Sequence, residues 1–185
     1  MAEAARSLLQ SEGLIMDKKL ETIVNALREK FGATLDEFRG EAHVFVKPEQ
    51  IVEVLTFLHD KHGFEMLSTM TAVDYWPQES PRFHLIYQLT SLAQILPLQI
   101  RIPVNADHLK VPTATKVYAN ANWREREVFD MFGVEFEGHP NLRRILLPND
   151  FEGHALRKDY PLGYEEPQFT FNLEEIDLGK PYAKE

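Results

Sequence analysis

The apolar residues Leu20, Ile23, Val24, Leu27 and Phe31 return at three- and four-residue intervals between Lys18 and Phe31, and Gly32 follows at the position of a C-terminal cap. This spacing predicts a helix. The alternation in "AHVFVK" predicts a strand. "PEQIVEVLTFLHDKHG" predicts a second helix, with Pro48 in its first turn, Ile51, Leu55 and Leu58 on one face and Gly63 at its end. Three strand-like runs follow, "FEMLSTMTAVDYW", "RFHLIYQLT" and "LPLQIRIPV", the first two separated by the turn-rich "PQESP". A third helix ends in "WREREVFDMFG" with Gly133 as its cap, and "ATLDEFR" is a candidate for an extra short strand. The order α-β-β-α-β-β-β-α implies an α+β fold, a two-layer sandwich of helices on a mixed sheet of about five strands, over residues 17–133. Residues 1–16 form an N-terminal extension.

Past Gly133 the periodicity stops, and residues 134–185 read as an extended C-terminal arm and acidic tail that contacts partners. From Pro161 onward the tail holds six acids against two lysines. It cannot build a core alone, but Tyr164, Phe169, Phe171 and Tyr182 could anchor it on another protein's surface.

On a helical wheel of "VYANANWREREVFDMF", Val117, Ala121, Val128, Phe129 and Phe132 share a face with Glu125. A carboxylate on that stripe must be paired or must cap the helix. Asn122 followed by Glu125 fits a capping box, in which the Glu reaches back to the N-cap N–H, and this is the expectation adopted. The opposite face, with Trp123, Arg126, Glu127 and Asp130, reads as a mixed-charge solvated surface, its Trp raising the prospect of an interface.

Two similar stretches then stand fifteen residues apart, "FEGHPNLRR" from Phe136 and "FEGHALRK" from Phe151. His139 and His154 with Glu137, Glu152 or Asp150 would suit a metal site by residue type. The spacing counts against it, because Pro140 and Pro148 intervene and four basic residues crowd the stretch. Arg143, Arg144, Arg157 and Lys158 make a basic island, balanced one for one by Glu137, Asp150, Glu152 and Asp159. Such pairs suit bidentate contacts that lock an arm onto a neighbour, or that brace it on its own domain. A contact of the island with anionic lipid is a third reading.

Composition narrows these options. The chain has 185 residues, 44% of them hydrophobic and 11% aromatic, enough for a real core. A net charge of -9 argues against sequence-independent nucleic-acid binding. The absence of cysteine excludes disulfides, Fe–S ligation, thiolate zinc and a cysteine nucleophile. No G-x-G-x-x-G, G-x-x-x-x-G-K-[ST] or G-x-S-x-G occurs. No apolar run approaches a membrane span, and the first residues resemble no secretory or organelle-targeting signal, so the expected place is the cytoplasmic side.

The run "NWREREVFDMFGVEFEGHPNLRRILLPNDFEGHALRKDYPL" resembles the signature region of the thirty-kilodalton subunit of the proton-pumping NADH:quinone oxidoreductases, respiratory complex I. The resemblance rests on the E-R-E-x-x-D-M-F-G core at Glu125 to Gly133, the G-H-P-x-L-R-R-I-L block at Gly138 to Leu146 and the D-x-x-G-H-x-L-R-K-D-Y-P block at Asp150 to Pro161. Ala155 departs from the family's usual Pro. The resemblance implies a cofactor-free subunit of the peripheral arm with no catalytic residue of its own. NADH, flavin, Fe–S clusters and quinone would be bound by other subunits, and the chain would pack chiefly against subunits D and B near the membrane. Membrane-bound hydrogenases, ferredoxin- or F420-fed reductases and the photosynthetic form carry similar subunits. The residues expected at the partner interface are Trp123, Arg126, His139, Arg143, Arg144, His154, Arg157, Lys158, Asp159 and Tyr160. From another class, a stand-alone metal-dependent enzyme would use His139 and His154.

Overall fold

The computed structural model describes residues 17–38, 40–78 and 80–160. The expected N-terminal extension, the acidic tail and its four aromatic anchors lie outside the described residues. Helix α1 spans Lys18–Phe31. Asp17 opens it by accepting the Lys19 N–H at 2.8 Å, and Gly32 closes it in the left-handed conformation, φ 65°. Strands β1 (Thr34–Phe38) and β2 (Glu41–Phe45) make a hairpin. A 3-10 turn at Pro48–Gln50 leads into α2 (Ile51–His62), which ends on left-handed Gly63. Strands β3 (Met66–Asp74), β4 (Phe83–Ser91) and β5 (Leu96–Val104) form the expected meander.

These five strands make one mixed sheet in the order β1-β2-β5-β4-β3, antiparallel except for the parallel pair β2 and β5. The period of two along β4 and β5 decides which side chains are buried. Phe83, Leu85, Tyr87 and Leu89, with Leu98, Ile100 and Ile102, face the helices and are essentially inaccessible. They pack with Leu27 of α1 and with Ile51, Leu55 and Leu58 of α2 in a single core. Full burial of such a side chain stabilises by about 2 kcal/mol relative to exposure. The residues between them, among them His84, Ile86 and Gln88, lie on the other face, which none of the described helices covers.

Two short strands escape the hydrophobic pattern. Strand β6 (Lys110–Pro112) and strand β7 (Glu135–Glu137) pair in parallel, joined by helix α3 (Ala121–Phe132) as a crossover that lies against β3. Three residues are too few to show a period. Asn120 Nδ2 donates to Leu67 O at 2.8 Å and Tyr118 Oη donates to Phe64 O at 2.7 Å, which seats the start of α3 at the sheet. This places the third helix so that the chain after Gly133 runs back along it.

Candidate functional site

The expected capping box is not formed. Asn120, not Asn122, is the N-cap, and no side chain caps it. Glu125 is inaccessible and turns toward the loop after β6, accepting from Thr113 Oγ1 and from the Ala114 N–H, each at 2.6 Å. A loop with unsatisfied donors took the carboxylate that sequence spacing had assigned to the helix start. Burial pushes the Glu125 pKa up to about 7 despite these two bonds, which favour the charged form.

The supposed solvated face is also largely buried. Arg126 and Asp130 are both enclosed, and Trp123 alone of the large apolar groups there is exposed, at 58%. What encloses them is the segment 143–157. Asp130 Oδ2 accepts the backbone N–H groups of Ile145, Leu146 and Leu147 at 3.0, 2.8 and 2.9 Å, and Oδ1 accepts from Arg144 Nη1 at 2.8 Å. Burial alone would raise this carboxyl; the N–H groups of Leu147 and Leu146, Arg144 and the Ile145 N–H outweigh it and hold the pKa below the usual carboxylate range. One turn earlier, Arg126 Nε and Nη2 donate to the carbonyls of Arg143 and Arg144 at 3.1 and 3.2 Å. Arg144 Nη2 reaches on to Phe151 O and Gly153 O at 2.9 and 3.0 Å.

The end of α3 is closed by the same arm. A helix leaves its last four carbonyls without intrahelical partners. Phe129 O accepts the Gly133 N–H at 2.9 Å and Asp130 O accepts His154 Nδ1–H at 2.9 Å. Met131 O accepts the Leu156 N–H at 3.1 Å and Phe132 O accepts Arg157 Nε–H at 2.7 Å. All four are satisfied, and the Arg157 charge sits at the negative end of the helix dipole.

The two FEGH stretches thus grip one helix at both ends. His139 donates Nε2–H to Asn122 O at 3.2 Å and accepts the Asn141 N–H on Nδ1 at 3.0 Å, while His154 holds Asp130 O. Their two carbonyls are eight residues, about 12 Å, apart along the helix axis, so the histidines do not converge. Among the described residues no group of three His, Asp or Glu is placed to hold a metal ion. The basic residues do not pair with the acids nearest in sequence. Glu137, Asp150 and Glu152 are exposed and form no ion pair among the described residues, and only Asp159 does.

Asp159 belongs to a second fastening that the sequence reading missed. Asp74, at the end of β3, takes Arg82 Nε and Nη2 in a bidentate pair at 2.9 and 2.8 Å, plus the N–H groups of Lys158 at 2.9 Å and Trp76 at 3.0 Å. Arg82 in turn holds Asp159 at 2.8 Å. Burial would raise Asp74, but Arg82 and the N–H groups of Lys158 and Trp76 hold its pKa down at about 2. An acid and an arginine bracketing the turn in "DYWPQESPR" were the available signal. Tyr160 stacks on Phe151 at 5.7 Å, which closes the arm on itself.

Of the residues expected at an interface, Arg126, His139, Arg144, His154, Arg157, Asp159 and Tyr160 are therefore engaged within the chain. Trp123, Arg143 and the Lys158 side chain point outward. Around them Leu146 is 63% exposed, Leu156 55% and Ile145 37%. Arg144, His154 and Arg157 thus turn in, while Ile145, Leu146 and Leu156 turn out beside the exposed Arg143 and Lys158.

The profile of the respiratory-chain NADH dehydrogenase 30 kDa subunit family matches residues 44–166. An NADH-quinone oxidoreductase subunit of Roseiflexus sp. (strain RS-1) is 48% identical over 151 residues, 80% of this chain and 86% of that protein. The subunit of the same name from Trichlorobacter lovleyi is 50% identical over 142 residues, 75% of this chain and 88% of that protein. Among solved structures, a trypsin-resistant fragment of Nqo5 is similar with a TM-score of 0.59 and 33% identity, covering 67% of this chain and 99% of the fragment. A chain of the membrane-bound sulfane sulfur reductase, an archaeal respiratory membrane complex, shares the fold, with a TM-score of 0.68 at 23% identity over 91% of this chain and 97% of that one.

Proposed function

The chain belongs to the 30 kDa subunit family of the respiratory-chain NADH dehydrogenase, and from that premise we propose that it is a structural and assembly subunit of the peripheral arm of an NADH:quinone oxidoreductase. It supports electron transfer from NADH to quinone without binding either. Flavin, Fe–S clusters and quinone belong to neighbouring subunits, and the chain packs chiefly against the subunits D and B that form the quinone site. It sits at the cytoplasmic face of the membrane as a peripheral part of the complex; no helix among the described residues is long and apolar enough to cross a bilayer.

The observation that carries this reading is the inside-out character of the arm. Arg144, Arg157 and Asp159 are held by Asp130, by the end of α3 and by Arg82, so the arm is fastened to its own domain before any partner arrives. Its outward residues Ile145, Leu146 and Leu156, together with the exposed Trp123 of α3 and Arg143, make an apolar patch of the kind that marks protein contacts. Presentation on a fastened arm lowers the ordering cost of association.

The test is assembly. Leu146→Asp combined with Trp123→Ala is expected to reduce the amount of complex recovered from solubilised membranes several-fold, while the purified full chain unfolds at an unchanged temperature. Full assembly with normal NADH:quinone reductase activity in that variant would refute the proposal.

A further inference from the structure

The uncovered face of the sheet is organised. Paired residues on neighbouring strands share a face, and the register places Phe45, Arg101, Ile86 and Thr71 side by side in one cross-strand row. His43, Gln99, Gln88 and Thr69 form the next row, and Pro103, His84 and Val73 lie on the other side. Gln99 Nε2 donates to Gln88 Oε1 at 3.2 Å, and Arg101 Nε donates to Gln99 Oε1.

That bond uses one of the Arg101 donors. Its two terminal nitrogens have no hydrogen bond and no carboxylate partner among the described residues, although the guanidinium is oriented over the Phe45 ring at 6.0 Å. Next to it stands His84, framed by Phe45 at 5.9 Å and Tyr75 at 4.7 Å, and its Nδ1 is buried with no hydrogen-bond partner among the described residues. Burial and the charge of Arg101 both lower the His84 pKa, so the ring is neutral and the local field is positive. Two acids share this face, Asp36 opposite His43 in the β1–β2 register and Glu41 at 3.8 Å from His43, and neither is paired with Arg101 among the described residues.

The planar fork of free donors on Arg101 suits a carboxylate, which accepts from both terminal nitrogens. The flanking Phe45, Ile86, Val73 and Tyr75 add apolar surface that a small free anion would not cover but a polypeptide would. We propose that this sheet face is a docking site for an acidic segment of a partner polypeptide, with an Asp or Glu carboxylate seated on the terminal nitrogens of Arg101. The inference rests on the chain working within an assembly, as proposed above, but shares no residue with the α3 and arm patch.

The experiment uses the assembled complex. A photo-reactive benzoylphenylalanine is placed at Thr71, which is exposed in the Arg101 row, and in parallel at Trp123. The expected Thr71 adduct maps to one polypeptide, at a stretch with Asp or Glu within a few residues. Its yield should fall about tenfold with Arg101→Glu and recover when the mapped acid is changed to Lys. Arg101→Gln, a milder change with the same expected direction, keeps the test decisive if Arg101→Glu does not fold. An adduct to lipid, no adduct, or a yield insensitive to both Arg101 variants overturns the proposal. An adduct at Trp123 with none at Thr71 overturns this inference and leaves the preceding reading standing; adducts at neither position count against both.

Discussion

Asp130 Oδ1 lies 2.8 Å from Arg144 Nη1, across the boundary between the last turn of α3 and the arm that runs back over it. The same carboxylate holds three successive N–H groups of the arm. One side chain therefore prescribes the path of Ile145 to Leu147, and with it the direction in which the exposed Leu146 points.

Asp130→Asn should break that prescription. The amide cannot accept with both terminal atoms, and Arg144 loses its counter-charge in a partly buried site. The expected cost is about 3 kcal/mol in urea unfolding of the full chain. Limited proteolysis should show new cleavage between residues 143 and 153. Unchanged stability and protease resistance would show that the arm is held by its other contacts.

Gly133 and Gly32 provide a matched comparison. Both are left-handed helix caps, φ 77° and 65°, so an alanine at either incurs backbone strain of about 1 kcal/mol. A Cβ at Gly32 meets no atom within 4 Å, whereas one at Gly133 comes within 2.6 Å of Arg157 Nη2 and collides with the His154 ring. Gly133→Ala should therefore destabilise clearly more than Gly32→Ala in parallel thermal melts, because it displaces the arm from the helix end.

Arg157 and Arg143 should behave oppositely when purified and when assembled. Arg157→Ala removes the donor to Phe132 O and should destabilise the isolated chain by about 2 kcal/mol. Arg143 has an exposed side chain, so Arg143→Ala should leave the melting temperature unchanged and instead lower the yield of assembled complex. Denaturation of the purified variants beside quantification of the complex in membranes separates the two effects.

Stability should depend on pH through Glu125 and Asp74 with opposite signs. Glu125 has its folded pKa raised to about 7 from an ordinary 4.5, so the folded state binds the proton more tightly. Its contribution is fullest below pH 4.5, declines as pH rises to about 7 and is flat above. Glu125→Gln should flatten that decline and gain on the parent by up to about 3 kcal/mol at pH 8. Asp74 is depressed to about 2 from 3.8, so it stabilises fully above pH 3.8, by about 2 kcal/mol, and loses this as pH falls toward 2. Asp74→Asn should lose that acid-limb dependence. Denaturant titrations of both variants from pH 2.5 to 8 check the signs.

The sequence by itself determined the three helices, the five main strands and the caps at Gly32, Gly63 and Gly133. Each of these rests on a local period or a single backbone requirement that neighbouring residues disclose. The blocks after Glu125 identified the family for the same reason, since recognition needs only order along the chain. The tertiary structure decided the partners of the charges. Glu125 was spaced for a capping box and went to Thr113 and Ala114; Asp130 and Arg126 sat on a polar face and were enclosed by the arm; Asp159 found Arg82 rather than a basic neighbour. Ion pairs and hydrogen bonds act between groups that meet in space, and a segment with no period gives no account of where it returns. The doubled FEGH carries the residue types of a metal site, and only the course of α3 between its two histidines reveals that they clasp one helix instead.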